Sequence, residues 1–300
     1  MGGNIVIPDA GNIGSASDTD AIAIASNGVV TFSQAVSGTS ADFDGGVTID
    51  NITIDGTEID LSSGTLTIDA TSITLDASDS ISTPTAGTSN VKLGVNAGNS
   101  IASGGNYNVV IGDEAGTALT TGDANTAIGF EALTTEDANT GNTAIGYRAL
   151  KTLNAGADAL NVAIGYEAGT GLTTGVQNVI IGGNAGDALT DADFNVAIGL
   201  GALTTDTKGN KSVALGDGTL ATQNFSTSTD TFNTAVGFEA GQALTVGLSN
   251  TLIGSLAGDA LTDADFNVAI GNLALSTDTL GSKSVAIGEQ ALKTQNFTTA

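Results

Sequence analysis

Six aspartates stand in two matched groups. Asp187, Asp191 and Asp193 lie in GDALTDADF, and Asp259, Asp263 and Asp265 hold the same places in a second copy. Clustered loop carboxylates are the chemistry of a Ca²⁺ site, because that hard cation takes oxygen ligands. The plainer expectation is a solvated, turn-forming loop, since the glycine-rich nonapeptide of calcium-binding β-rolls is absent. Glu114, Glu131, Glu167 and Glu239 recur at one place in a repeated motif. Paired carboxylates hydrolyse glycosidic bonds, but these repeat like surface decoration and single out no pair. Phe130, Tyr147 and Tyr166 each follow a motif glycine and are expected to stack. An exposed ladder would be a platform for sugar rings. A packing ladder is the expected outcome in a chain with 4% aromatics.

What is missing narrows the chemistry further. The 300 residues contain no Cys and no His, which excludes disulfides, thiolate sites, imidazole zinc sites and Ser-His-Asp triads. Seven Lys and Arg against 32 Asp and Glu leave a formal charge of −25, which repels phosphate backbones and argues against nucleic acid as a partner. No GxxxxGKS/T phosphate loop is present. No cofactor and no catalytic residue are therefore expected, and the chain reads as a non-enzyme. A hydrophobic fraction of 40%, mostly Ala, Val, Ile and Leu, is not that of a disordered chain. No apolar run is long enough to span a membrane, and the first residues lack the pattern of a secretory signal. The sequons at Asn51, Asn210, Asn224 and Asn296 carry little weight on that reading.

The elements that must position these residues come from a repeat. A motif of Asn, branched, small, Ile, Gly, two variable residues and Ala occurs twelve times, as in NVAIGYEAG. Its glycines are Gly94, Gly112, Gly129, Gly146, Gly165, Gly182, Gly199, Gly216, Gly237, Gly254, Gly271 and Gly288. The basic spacing is 17 residues. The residue four after the glycine runs Gly, Gly, Leu, Leu, three times over, as in Gly169, Gly186, Leu203 and Leu220. The extra residues of the 19- and 21-residue spacings recur at one place in this four-motif cycle, as insertions into a loop on one face do.

Alternation of period two over Asn195–Gly199 predicts a strand, and Gly then permits a turn. Seventeen residues allow two short strands and two turns, one coil of a β-solenoid or β-roll. Val and Ile are expected to point inward as ladders. Stacked Asn side chains, with Ser212 and Ser284 as exceptions, are expected to hydrogen-bond between coils. Ala97, Ala115 and their successors keep a small residue three after each glycine, with Thr219 the departure. That implies close packing within a roll or between chains, and a thin roll with little core favours the second.

Residues 1–45 read as an N-terminal attachment segment with a hairpin over 21–33, turning at Asn27-Gly28. Residues 46–76 carry apolar pairs such as Ile52/Ile54 and Ile59/Leu61 every seven residues. Their two-and-five spacing is wrong for a coiled coil and suits a thin β shaft of intertwined chains. Residues 77–89 read as a linker and 90–300 as the β-roll.

The repeats, with SVALG at Ser212–Gly216 and SVAIG at Ser284–Gly288, resemble the head β-rolls of trimeric autotransporter adhesins over about residues 90–292. Those repeats are usually a few residues shorter. Together with GNIGSASDTDAIAIASNGVVTFSQAV and DNITIDGTEIDLSSG, the chain is similar over nearly its whole length to bacteriophage tail-fibre proteins, particularly marine ones. That resemblance implies a homotrimeric virion fibre outside the cell. Its partners would be itself, other fibre or virion proteins, and a host-surface glycan or protein, without insertion into a membrane. A cell-surface adhesin and a self-assembling filament are the alternatives. The stretch LKTQNFTTA stops where the matching LATQNFSTSTDTFNTAVG runs on, so a fragment of a longer fibre is expected.

Overall fold

The computed structural model describes residues 12–15, 18–24, 30–32 and 86–297, apart from Ala157. The chain divides into two units, Met1–Ile73 and Thr74–Ala300. In the first, β1 (Asn12–Ser15), β2 (Asp18–Ile24) and β3 (Val30–Phe32) form an antiparallel sheet in sequence order. β2 and β3 are the expected hairpin, but Ile24 pairs with Val30. A two-residue turn at Asn27-Gly28 would pair Ile24 with Thr31, so the register is displaced by one. Loops of odd length produce that offset. Asn27 and Gly28 lie outside the described residues, as do the seven-residue repeat and most of the linker.

The second unit is a parallel β-solenoid of twelve coils, numbered here 1 to 12 by their motif glycines. The fold is all-β, with no helix among the described residues. Each motif forms a three-residue strand, from Val91–Leu93 to Val285–Ile287, and all twelve join one parallel sheet in chain order. Register is kept throughout: Val196 pairs with Val213, Ala197 with Ala214 and Ile198 with Leu215.

The expectation of two strands per coil is corrected. Gly209–Asn210 and Thr229–Asp230 form the one additional strand pair in the described solenoid. Elsewhere the second wall is built from left-handed residues, such as Glu131 and Leu133, both at φ 52°. A left-handed residue cannot continue a pleated strand. The walls still stack by backbone bonds: Leu133 N–H donates to Ala149 O at 3.0 Å, and Leu150 N–H to Ala168 O at 3.1 Å.

The inside of the roll also differs from expectation. Ala197, at mid-strand, is fully buried, while Val196 and Ile198 are half-buried and face outward. The same pattern repeats along the sheet. In most coils the wall is completed by a mid-strand Ala and the Asn, but Val110, Ile180 and Leu252 enter from the strand and are fully buried where glycines such as Gly116, Gly186 and Gly258 leave room for them. The second Ala column, Ala115 to Ala274, is likewise buried in the chain's own interior, which overturns the interchain reading of it.

Leucine supplies the remaining volume, and the four-coil cycle records where. Coils with Gly four after the motif glycine bring in a large residue three positions later, such as Leu119, Leu189 or Leu261. A Cβ on Gly186 would stand 2.7 Å from Leu189 Cδ1. In the other coils the Leu moves to that earlier place, as Leu203 and Leu220, and a buried polar residue takes the later one: Glu136, Asp206, Gln223 or Asp278. Leu153 is the apolar departure.

These polar plugs explain the two serines in the Asn ladder. Along the ladder, Asn Oδ1 accepts from the backbone N–H of the next coil's Asn, as from Asn125 to Asn108 at 2.9 Å. Its Nδ2 donates to a carbonyl one coil on, as from Asn108 to Gly122 at 2.8 Å. The ladder was expected, although most of its bonds run to backbone. Where Gln223 and Gln295 enter the core, Ser takes the ladder place of the same coil and accepts from them. Gln223 Nε2 donates to Asp206 Oδ2 at 2.6 Å and to Ser212 Oγ at 2.9 Å. Gln295 repeats this with Asp278 at 2.8 Å and Ser284 at 3.1 Å.

Glu136 has no such glutamine, since Leu153 occupies the matching place. Its Oε1 accepts from the Asp137 and Asn139 N–H groups, and its Oε2 is buried without a partner. Burial pushes its carboxyl above the ordinary value of 4.5, against the pull of the Asn139 and Asp137 bonds. The folded state therefore binds this proton more tightly than the unfolded one, and stability falls as pH rises from about 4.5 through the folded pKa. Glu136→Gln is expected to raise the melting temperature at pH 7, with the gain vanishing below about pH 4.5, as thermal melts across pH will show.

Candidate self-association face

Outward positions of the sheet come from the residues on either side of each central strand residue. In all twelve coils they are Val, Ile, Leu or Thr, and none is charged in a chain of net charge −25. Parallel strands favour such β-branched residues, and an all-parallel sheet is normally covered on both faces. Here one face is covered by the chain's own second wall. The other carries Ile198, Ile270 and their neighbours half-buried by one another, rising to 67% exposure for Ile287 in coil 12.

Twelve strands spaced at about 4.8 Å make this stripe about 58 Å long. At a width of about 10 Å it offers on the order of 600 Å². Isolated patches on monomers seldom exceed a few hundred Å². Exposed apolar residues widen it on both sides: Tyr107, Leu160, Phe194, Phe232 and Phe266 before the inward Asn, and Leu200 and Phe238 after the glycine.

The motif glycines hold the sheet flat to its turn. All twelve have φ between 122° and 142°. In coils 1 to 11 an added Cβ would also meet the backbone of the next coil's glycine, at 2.5 Å from Gly182 O in the case of Gly165. Their role as repeat turns is thus one of close approach as well as backbone freedom.

Four of the six candidate aspartates make structural bonds, and Asp259 Oδ1 is buried without a partner. Asp193 Oδ1 caps the Val176 N–H at 2.8 Å, and Asp265 Oδ1 caps the Leu248 N–H at 2.8 Å. Asp191 accepts from Thr174 Oγ1 at 2.9 Å, and Asp187 from Thr204 Oγ1 at 2.7 Å. Burial, reinforced by Glu239, pushes the Asp259 carboxyl up. Among the described residues no group of three or more His, Cys, Asp or Glu is placed to hold a metal ion.

Glu131 accepts from Lys151 Nζ at 2.7 Å and Arg148 Nε at 2.6 Å, bonds that hold its carboxyl below the ordinary range. Glu167 stands 3.9 Å from the same arginine. These are surface ion pairs between neighbouring coils, individually worth little.

The aromatic ladder forms as expected. Phe130 and Tyr147 stack at 5.5 Å and 16°, and Tyr147 and Tyr166 at 5.1 Å and 7°. A sugar ring needs an open aromatic face, and both faces of Tyr147 are covered by its neighbours. The ladder packs coil on coil along one edge of the apolar face.

Comparison of the chain with protein-family models, with curated proteins and with solved structures returns no match.

Proposed function

We propose that the chain is a non-enzymatic structural fibre protein that assembles with copies of itself through the outward face of its sheet. The observation that carries this is the uncharged Val/Ile/Thr stripe running the length of twelve coils in a strongly acidic chain. A solenoid whose coils each bury only one or two large side chains beside Ala and Asn has a small core per coil, and small cores are commonly completed by oligomerisation. The resemblance to phage fibres and autotransporter heads suggests three copies and a place on a virion fibre, as spacer and host-attachment element. Stacked, hydrogen-bonded coils suit a spacer, since each coil is braced by its neighbours.

Sedimentation of the wild type beside an Ile164→Asp/Ile198→Asp variant tests the face. The wild type is expected to sediment as a multimer of 29.3 kDa chains. The variant is expected to sediment as a monomer with an unchanged circular dichroism spectrum, because both substitutions lie on the outer side of the sheet. A variant that keeps the wild-type mass would overturn the assignment of the face.

A further inference from the structure

Every coil sends one residue inward from the middle of its strand. Parallel register puts Lys92, Val110, Ala127 and their successors in one column. Eleven of the twelve, from Val110 to Ala286, are apolar and at most 1% exposed. Lys92 in coil 1 is the exception, charged and partly exposed. It shares the inner side of the sheet with Val110, its strand partner. The interior beside it is already filled: a Cβ on Gly98 would stand 2.7 Å from Ile101 Cδ1 and 2.8 Å from Val110 Cγ2.

In other respects coil 1 is built to follow a coil like coil 12. The four-coil cycle passes from a Leu coil to a Gly coil at coils 4 and 5, and again at coils 8 and 9. Coil 12 carries Leu292 and coil 1 carries Gly98, so coil 1 of a second copy set on coil 12 would continue the cycle in phase. Asn90 holds the ladder place in coil 1. Its Nδ2 donates to Gly105 O at 2.8 Å, as Asn233 Nδ2 in coil 9 donates to Gly247 O at 2.7 Å. Ala97 and Ile101 hold the Ala and large-residue places and are buried. The mid-strand residues of coils 5 and 9 show what such a seat demands. Ala163 stands between Ala144 and Ile180, Ala235 stands between Ala214 and Leu252, and neither has exposed surface.

We infer that Lys92 is a stop residue: it keeps coil 12 of one copy from seating on coil 1 of another, and so bars growth by end-to-end addition of copies. Seating would enclose its ammonium group against the inward places of coil 12, held by Ser284, Ala286, Ala291, Leu292 and Gln295, none of them acidic. Burying a charge without a counter-charge is strongly unfavourable. A charge turned inward at the edge of a sheet is one of the devices that block edge-to-edge pairing. The edge it guards against is receptive. Val285 and Ile287 of coil 12 are 64% and 67% exposed, and a Cβ on Gly288 would meet nothing within 4 Å. Lateral association through the sheet face, proposed above, thickens an assembly, whereas end-to-end addition lengthens it.

Negative-stain electron microscopy of the 300-residue chain over a concentration series reads length directly. Wild-type solenoids are expected at a single length, about 58 Å for twelve strands. Lys92→Ala and Lys92→Val install the residue types that coils 3 and 2 carry at this place. Both variants are expected to give solenoids of two and three times the wild-type length, more of them as concentration rises. Lys92→Arg keeps the charge and is expected to stay at the single length. Circular dichroism identifies the folded variants. A folded Lys92→Ala or Lys92→Val protein that keeps the wild-type length at every concentration would overturn the assignment. So would lengthening of Lys92→Arg, or a wild type that already forms multiples. None of these results bears on the sheet face, whose own test is the sedimentation of the Ile164→Asp/Ile198→Asp variant.

Discussion

Gly165→Val is expected to cost the solenoid about 3–5 kcal/mol, among the largest effects a single substitution produces. Two costs add. The backbone at Gly165 has φ 142°, a region that side-chain-bearing residues scarcely enter. The new Cβ would also lie 2.5 Å from Gly182 O and 2.7 Å from its carbonyl carbon. Backbone atoms cannot rotate away as a side-chain tip can, so coils 5 and 6 must separate. Separation breaks the bond from Gly182 N–H to Ile164 O, now 2.8 Å, and its neighbours in the sheet. In a repeat protein much of the stability lies in such nearest-neighbour interfaces. Gly288→Ala is the control. It has the same motif position and a φ of 122°, but an added Cβ meets nothing within 4 Å. It is expected to cost only the conformational strain, about 1–3 kcal/mol. Urea unfolding of the two variants, followed by circular dichroism, checks both values.

Ala197→Asp is expected to be nearly as damaging, and Ile198→Asp, one residue on, to leave the single chain folded. Ala197 is fully buried between Ile180 and Ala214 in the stacked strands. A carboxylate there would displace core atoms and stand without a partner, a cost of about 3–5 kcal/mol. Ile198 is on the other side of the same strand, where water or a second copy lies against it. Thermal melts of dilute protein, below the concentration at which it assembles, should separate the two variants sharply. Equal loss of stability in both would place Ile198 in the chain's own core.

That contrast also marks what the sequence could and could not disclose. The 17-residue period, twelve coils, the glycine turns and the four-coil cycle are all legible because each is a matter of spacing. Alternation along Asn195–Gly199 shows that Val196 and Ile198 share one side and Asn195 and Ala197 the other, but not which side is inside. Assigning the larger apolar pair to the interior follows the usual rule for globular cores. It fails here because in most coils the leucines of the opposite wall already take the room, leaving Ala197 and the Asn ladder to complete the core, and a large mid-strand residue such as Ile180 or Leu252 enters only where that wall carries glycine.

The serines at 212 and 284 were visible as exceptions without a visible cause, since their partners Gln223 and Gln295 lie eleven residues away and come into contact only when the coil closes. The second wall escaped for a different reason. Left-handed leucines such as Leu203 and Leu220 have no compositional signature, because only the stacked coils hold them in that conformation.

The central claim is that the outward sheet face is covered by further copies of the chain. Light scattering of the wild-type protein over a concentration series tests it most directly. A constant mass at a whole multiple of 29.3 kDa is expected, about 88 kDa for three copies. A constant 29.3 kDa would mean that the face stays open to water and would contradict the account.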